Sequence, residues 1–292
     1  GISILTPADA AYPERLREIP DPPPALYADG EAPDAPSVAV VGSRAASPTG
    51  KGAARALGRA RGERGVCVVS GLALGVDAAT HEGALEAGGP SVGVLGCGID
   101  VVYPRGNRAL FRRVREAGAL VSEYYLGEPP LAWRFPARNR IIAGLCAAVV
   151  VVEAPQRSGA LITARHAAEC GRDVWAVPGP LGTPECLGSN RLLGDGAGVL
   201  WDVAEFVDAY AHGTDRLPTG FSSEDHAPVP DSLPESEAAV LAGVGLRPTG
   251  VDEISGRSGL EPPRVLSALS LLELKGYVTR GAGGAFVRRV AL

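Results

Sequence analysis

Methionine is absent from the 292 residues and lysine nearly so: of 28 basic side chains only Lys51 and Lys275 are lysines, leaving 26 arginines. The cysteines, Cys67, Cys97, Cys146, Cys170 and Cys186, are odd in number, scattered and without a CxxC pair. That excludes a disulfide framework and a zinc ribbon, and it predicts buried, reduced thiols in a cytoplasmic protein. The four histidines are dispersed too, so no metal site is expected. No apolar run approaches the roughly 20 residues of a membrane helix, and the start is no signal peptide. With Gly at position 1 and no Met, an upstream piece is expected to have been trimmed.

Several nucleotide-binding and catalytic signatures are missing as well. There is no GxxxxGK[ST], "GCGIDV" lacks a third glycine, and "GSRAASPTG" has the wrong spacing for a dinucleotide fingerprint. No GxSxG elbow occurs. ATP, NAD and any other cofactor are therefore not expected.

What is present is an alternation. "SVAVVGSR", "VCVVSG", "SVGVLG", "ALVSE", "AVVVVEA" and "DVWAVPG" read as short buried strands, and helical segments lie between them. Continuous apolar strands alternating with helices define an α/β fold, a doubly wound Rossmann-like parallel sheet, over 37–211. Residues 1–36 read as a lead-in with one short helical turn at most. Residues 212–232 are polar, acidic and proline-bearing, a flexible linker. Over 233–292 three helices precede two strands with a Gly-rich tip, a small winged-helix domain. Its candidate recognition helix offers only Arg264 and Lys275 to phosphates, so duplex binding and a protein-protein role both stay open.

The formal net charge of −5 hides segregation: 104–172 carries eleven arginines against five acids, whereas 202–237 carries nine acids and one arginine. For a polyanion the local face matters more than the sum. Ligands of open α/β sheets bind beyond the carboxyl ends of the strands, where Gly42, Ser43, Ser70, Gly71, Gly96, Gly98, Ser158 and Gly159 fall. Small residues there let backbone amides approach an anion, although glycine is also common in any tight strand-to-helix turn. "RFPARNRIIAGL" sets Phe135, Arg138, Asn139 and Arg140 at the expected start of a helix, whose dipole disfavours cations. An aromatic beside guanidiniums suits a single strand of nucleic acid; the competing reading has these arginines neutralised by Glu123, Glu128 or Glu153. Arg44 on the same edge favours an external anion. Asp77 and His81, four apart on one helix face, allow an acid–base pair or a local helix-start contact. Glu153 closes a strand either as a catalytic carboxylate or as a salt-bridge partner. A nucleotide-cleaving Rossmann hydrolase acting on nucleoside monophosphates is the alternative to a binding protein.

The stretches "YPERLREIPDPPPALYADG", "VAVVGSR", "SGLALGVDAATHEGAL", "GVLGCGIDVVYPRGN", "FPARNRIIAGL", "VVEAPQRSGALITARHAAECGRDVWAVPGP" and "GSNRLLGDGA" resemble, in order, the bacterial DNA-processing protein A (DprA/Smf) family. The resemblance covers about 12–200, and the tail from 233 resembles the winged helix many members carry. It implies a homodimer without catalytic activity that binds single-stranded DNA and loads the RecA recombinase onto it in natural transformation and recombination. It also implies a DNA pocket at Gly42, Ser43, Arg44, Phe135, Arg138 and Arg140.

Overall fold

The computed structural model describes residues 1–33, 35–211, 233–244, 249–275, 277–280 and 285–288. The chain divides into two compact units, Gly1–Leu217 and Pro218–Leu292. The linker expected over 212–232 lies outside the described residues.

The first unit runs β1 (Ser3–Leu5), α1 (Glu14–Arg17), β2 (Leu26–Gly30), β3 (Ser37–Val41), α2 (Pro48–Glu63), β4 (Cys67–Ser70), α3 (Val76–Glu86), β5 (Ser91–Val94), α4 (Arg108–Ala117) and β6 (Gly118–Ser122). It continues through α5 (Arg134–Gly144), β7 (Ala148–Val151), α6 (Gly159–Glu169), β8 (Asp173–Ala176), α7 (Leu187–Gly194), β9 (Gly198–Val199) and α8 (Val203–Ala211). The strands form one sheet in the order β1-β2-β6-β5-β4-β3-β7-β8-β9. From β6 to β9 every pairing is parallel.

The central strands β3, β4, β5 and β7 are valine-rich and almost wholly buried, as a sheet covered on both faces requires. Alternation along β7 shows the two cores directly. Val149 and Val151 pack with Leu16, Ile141 and Ile142 on one side, and Ala148 and Val150 pack with Leu57, Val76 and Phe206 on the other. β3 pairs with β4 on one flank and β7 on the other. The chain winds outward from β3 and then returns to its opposite side, so the crevice past the ends of β3 and β7 is the topological switch point.

The lead-in holds more than the expected helical turn. β1 pairs antiparallel with β2, and β2 antiparallel with β6, extending the sheet by two strands. One core member was not foreseen either: Arg61 of α2 is fully buried, and no guanidinium nitrogen has a hydrogen-bond partner among the described residues. Its guanidinium stands 4.3 Å from the Phe206 ring centre and 5.4 Å from that of Tyr210, and burial pulls its pKa down to about 9.

The second unit packs α9 (Glu235–Gly243), α10 (Val251–Ser258) and α11 (Pro262–Leu274) with a hairpin of β10 (Val278–Arg280) and β11 (Phe286–Arg288). Leu241, Ile254, Leu269, Leu272 and Phe286 make its core. Three helices and a hairpin are the winged helix expected here.

Candidate nucleic-acid interface

A cleft of about 570 Å³ opens at the switch point. β3 delivers Gly42, Ser43 and Arg44, the loop after β5 delivers Tyr103, and α5 delivers Phe135, Arg138 and Asn139. The turn after β7 and the start of α6 deliver Pro155, Ser158 and Gly159. Eight of the thirteen residues singled out from the sequence therefore line one cavity: Gly42, Ser43, Arg44, Phe135, Arg138, Asn139, Ser158 and Gly159.

The cation at the mouth is Arg44. It is exposed, has no ion pair among the described residues, and lies 5.0 Å from the centre of the Phe135 ring. The Tyr103 ring sits 5.4 Å from Phe135 at an interplanar angle of 34° and is 41% exposed. Guanidinium and two rings thus form a continuous π-faced ledge, the surface on which unpaired bases stack.

The arginines of α5 meet three different environments. The helix begins at Arg134, one turn earlier than expected, which places Arg138 and Arg140 inside it. Arg138 is buried beneath the cleft, where its Nη1 donates to the carbonyls of Gly71 (3.1 Å) and Val94. Burial pulls its pKa down to about 10, while the nearby Asp77 carboxylate opposes the fall. Arg140 does not line the cleft. It forks onto Glu123 at 2.7 and 2.8 Å and reaches Asp21 at 2.9 Å, so it is neutralised internally. Arg134 pairs with Glu128 at 2.6 Å.

The small residues at the strand ends differ from the expected phosphate rim in a consistent way. The Ser43 amide donates to the Glu153 carbonyl (2.7 Å), the Gly71 amide to Asp77 (3.1 Å) and the Gly98 amide to the Glu128 carbonyl (2.9 Å). These three amides are satisfied within the protein. Ser70 is buried, with its hydroxyl on the Val40 carbonyl at 2.7 Å. Gly96 and Gly71 serve close packing instead. A Cβ on Gly96 would stand 2.9 Å from the Phe135 ring, and one on Gly71 would stand 2.5 Å from Arg138 Nη2. Ser70, Gly96 and Gly98 thus do not line the cleft, while Gly71 lines a small adjoining hollow with Arg44, Tyr103 and Phe135.

Asp77 and His81 form no acid–base pair. Asp77 accepts from the amides of Gly71 and Ala73, the local helix-start contact, and burial pushes its carboxyl up from the usual range. His81 turns away to Ser91, with 2.6 Å between Nδ1 and Oγ, and burial pulls its pKa down to about 3. Glu153 holds neither Arg138 nor Arg140. Its two oxygens accept from the Ser47 amide (2.9 Å) and hydroxyl (2.6 Å), bracing the N-terminus of α2. All five cysteines are unbridged.

Tyr103 lines the cleft in addition to the residues singled out from the sequence. In the sequence Tyr103 falls in "GCGIDVVYP", with no arginine directly beside it to mark it. Arg105 lies two residues further on, past Pro104, exposed and without an ion pair among the described residues. The signal available is looser than the one at Phe135: "YPR" sets an aromatic two residues before an arginine.

Fold and cleft define a Rossmann-like α/β protein with a ring-and-arginine cleft at its switch point, joined in sequence to a separate winged-helix unit. The chain belongs to the DNA recombination-mediator protein A family, whose model matches residues 3–211, with the DprA winged helix domain matching 224–284. It is 42% identical to Protein Smf of Escherichia coli over 288 residues, covering 96% of this chain and 76% of that one. It is 45% identical to DNA processing protein DprA of Streptococcus pneumoniae over 199 residues, covering 68% and 69%. The X-ray structure of the latter superposes with a TM-score of 0.68 at 40% identity, covering 72% of this chain and 74% of that one. DNA processing protein A from Helicobacter pylori, described for its single-stranded DNA binding mode, gives 0.64 at 30% identity, covering 71% and 94%.

Proposed function

We propose that the cleft binds single-stranded DNA with little sequence preference, and that the protein protects the strand and loads the RecA recombinase onto it in natural transformation and recombination. It acts in the cytoplasm as a homodimer and is a binder rather than an enzyme. The observation that carries this reading is Arg44: a cation without a counter-ion among the described residues, stacked on Phe135 beside Tyr103. Ring faces take any base and a guanidinium takes any phosphate, so recognition follows the polymer and not its sequence. Gly42, Ser43, Asn139, Ser158 and Gly159 shape the walls, and Arg138 supplies field from below. The relative from Helicobacter pylori supports the ligand class.

A binding role is further supported by Glu153, whose carboxylate is occupied in bracing α2. Homodimerisation is supported by the short edge strand β9, whose Val199 is 46% exposed and after which Trp201 is 66% exposed, since an open edge is a template for pairing. Among the described residues no helix is long and apolar enough to cross a membrane.

The test is fluorescence anisotropy with oligothymidylate across a salt series. Binding should weaken steeply with salt, and Arg44→Ala should raise Kd about tenfold and reduce the salt slope by about 0.7. A flat salt response, or Arg44→Ala binding like wild type, removes the cleft reading. The loading step is read separately, as a shortened lag in RecA ATP hydrolysis on the same strand. An unchanged lag removes loading and leaves binding intact.

A further inference from the structure

We propose that the bound strand leaves the cleft over the solvent face of α4, with Arg108, Arg112 and Arg113 as its phosphate contacts, so that the DNA footprint is longer than the cleft. The proposal deepens the reading above and rests on it.

α4 starts at the rim of the cleft. Asn107, just before it, donates to the carbonyls of Leu72 (3.0 Å) and Ala73 (3.3 Å), and Ala73 and Tyr103 both line the cavity. From that anchor the ten residues rise about 15 Å. Leu110, Phe111 and Val114 face the core, and Arg108, Arg112 and Arg113 share the opposite, exposed arc. Four arginines stand against one glutamate in the helix, within a chain of net charge −5.

The same sheet face supplies a contrast. On α2, Arg55 is paired with Glu82 at 3.3 Å and with Glu86, and Arg59 with Glu86 at 3.4 Å. On α4, Arg108 and Arg113 have no ion pair among the described residues, and Arg112 reaches Glu116 only at 3.9 Å with both side chains exposed. A loose exposed pair of that kind contributes little. Arg55 and Arg59 of α2 are matched from inside the protein, as is Arg115 of α4, which reaches Asp29 at 3.5 Å, whereas Arg108, Arg112 and Arg113 await a counter-ion from outside. Contiguity with the Tyr103 and Arg105 rim makes that counter-ion the continuing strand.

The experiment compares oligothymidylates of about 6 and about 20 nucleotides on the full chain, on the triple Arg108→Ala, Arg112→Ala, Arg113→Ala variant, and on the triple Arg-to-Lys variant at the same positions. The alanine variant should bind the short strand as wild type, bind the long strand about tenfold more weakly, and lose about 2 from the long-strand salt slope. The lysine variant should restore long-strand binding, which separates charge from folding. Equal long-strand affinity in wild type and alanine variant overturns the proposal. So does an equal loss on both lengths, or a loss confined to vesicles of anionic lipid. Arg44→Ala is the parallel arm: it should weaken both lengths, and if it weakens neither, the cleft reading fails whatever α4 does.

Discussion

Arg138 and Arg140 stand two residues apart on α5 and share nothing but charge. At about 100° per residue they point about 200° apart, so one helix cannot aim both at the same anion. That consequence was available from "RFPARNR" alone once the stretch is read as helix throughout. What the sequence could not supply is Arg140's partner, because Glu123 and Asp21 reach it only through the folding of the sheet. Arg140 and Glu123 are 14% and 15% exposed, and removing one member leaves the other charge poorly solvated. Arg140→Ala should therefore cost about 2–4 kcal/mol of stability while the folded fraction binds oligothymidylate as wild type. Thermal melting together with anisotropy on the same sample checks it, and a selective loss of affinity would return Arg140 to the DNA contacts. Arg61 predicts the opposite sign. It is buried with only ring faces for company, so Arg61→Leu should leave stability unchanged or raise it by about 1–3 kcal/mol. A large drop in melting temperature would mean that the cation–π contacts outweigh the desolvation of the guanidinium.

Elements were legible where their pattern was continuous and illegible where it was short. The valine runs of β3, β4, β5 and β7 announce themselves because both faces of each are buried. β1 does not, since a three-residue edge strand with Ile4 exposed within it and Ile2 exposed before it carries no apolar alternation to detect, and β2 is a short "LYADG" whose apolar part spans three residues. α3 shows how an element converts a sequence ambiguity into a measurable property. His81 faces inward to Ser91, and Ser70 and Arg138 lie close to the same ring. Burial holds the imidazole neutral down to about pH 3, against an unfolded value of 6.5. The unfolded chain therefore binds a proton that the native helix refuses. The contribution is complete above about pH 6.5 and is lost as pH falls from there towards 3, at up to about 1.4 kcal/mol per pH unit. Melting temperature should fall between pH 7 and pH 5 by several degrees, and His81→Gln should flatten that slope. An identical slope in the variant assigns the acid sensitivity to other groups. α2 depends on Glu153 in the same structural sense. Glu153→Gln should cost about 1 kcal/mol through the weakened brace on the Ser47 cap, and no base should be released from nucleoside monophosphates by either protein. Release that depends on Glu153 would revive the hydrolase reading.

At the scale of the molecule, the acidic total and the basic cleft belong to different parts of the chain, and each unit has its own core. The winged helix is the part whose use the sequence left most open, and its candidate recognition helix now discriminates. On α11, Leu266 and Leu271 are exposed, and Leu274 is 85% exposed. Lys275, one of the two cations noted there, is tied to Glu237 at 2.6 Å. A helix that meets the major groove needs side chains able to bond base edges and phosphates, and this face offers leucine, serine and Arg264, which has no ion pair among the described residues. Duplex DNA should therefore bind the isolated 233–292 unit no better than the non-specific range of about 10⁻⁴ to 10⁻⁶ M. Removal of that unit should leave oligothymidylate affinity within about twofold of the full chain, because the ring-and-arginine ledge and α4 are both built from residues of the first unit. Titration of both truncations against matched duplex and single strands is the measurement. Tight, salt-sensitive duplex binding by 233–292 would mean that the wing or the residues flanking α11 carry the contacts, and the apolar face of α11 would then have to be accounted for as packing surface within a larger assembly.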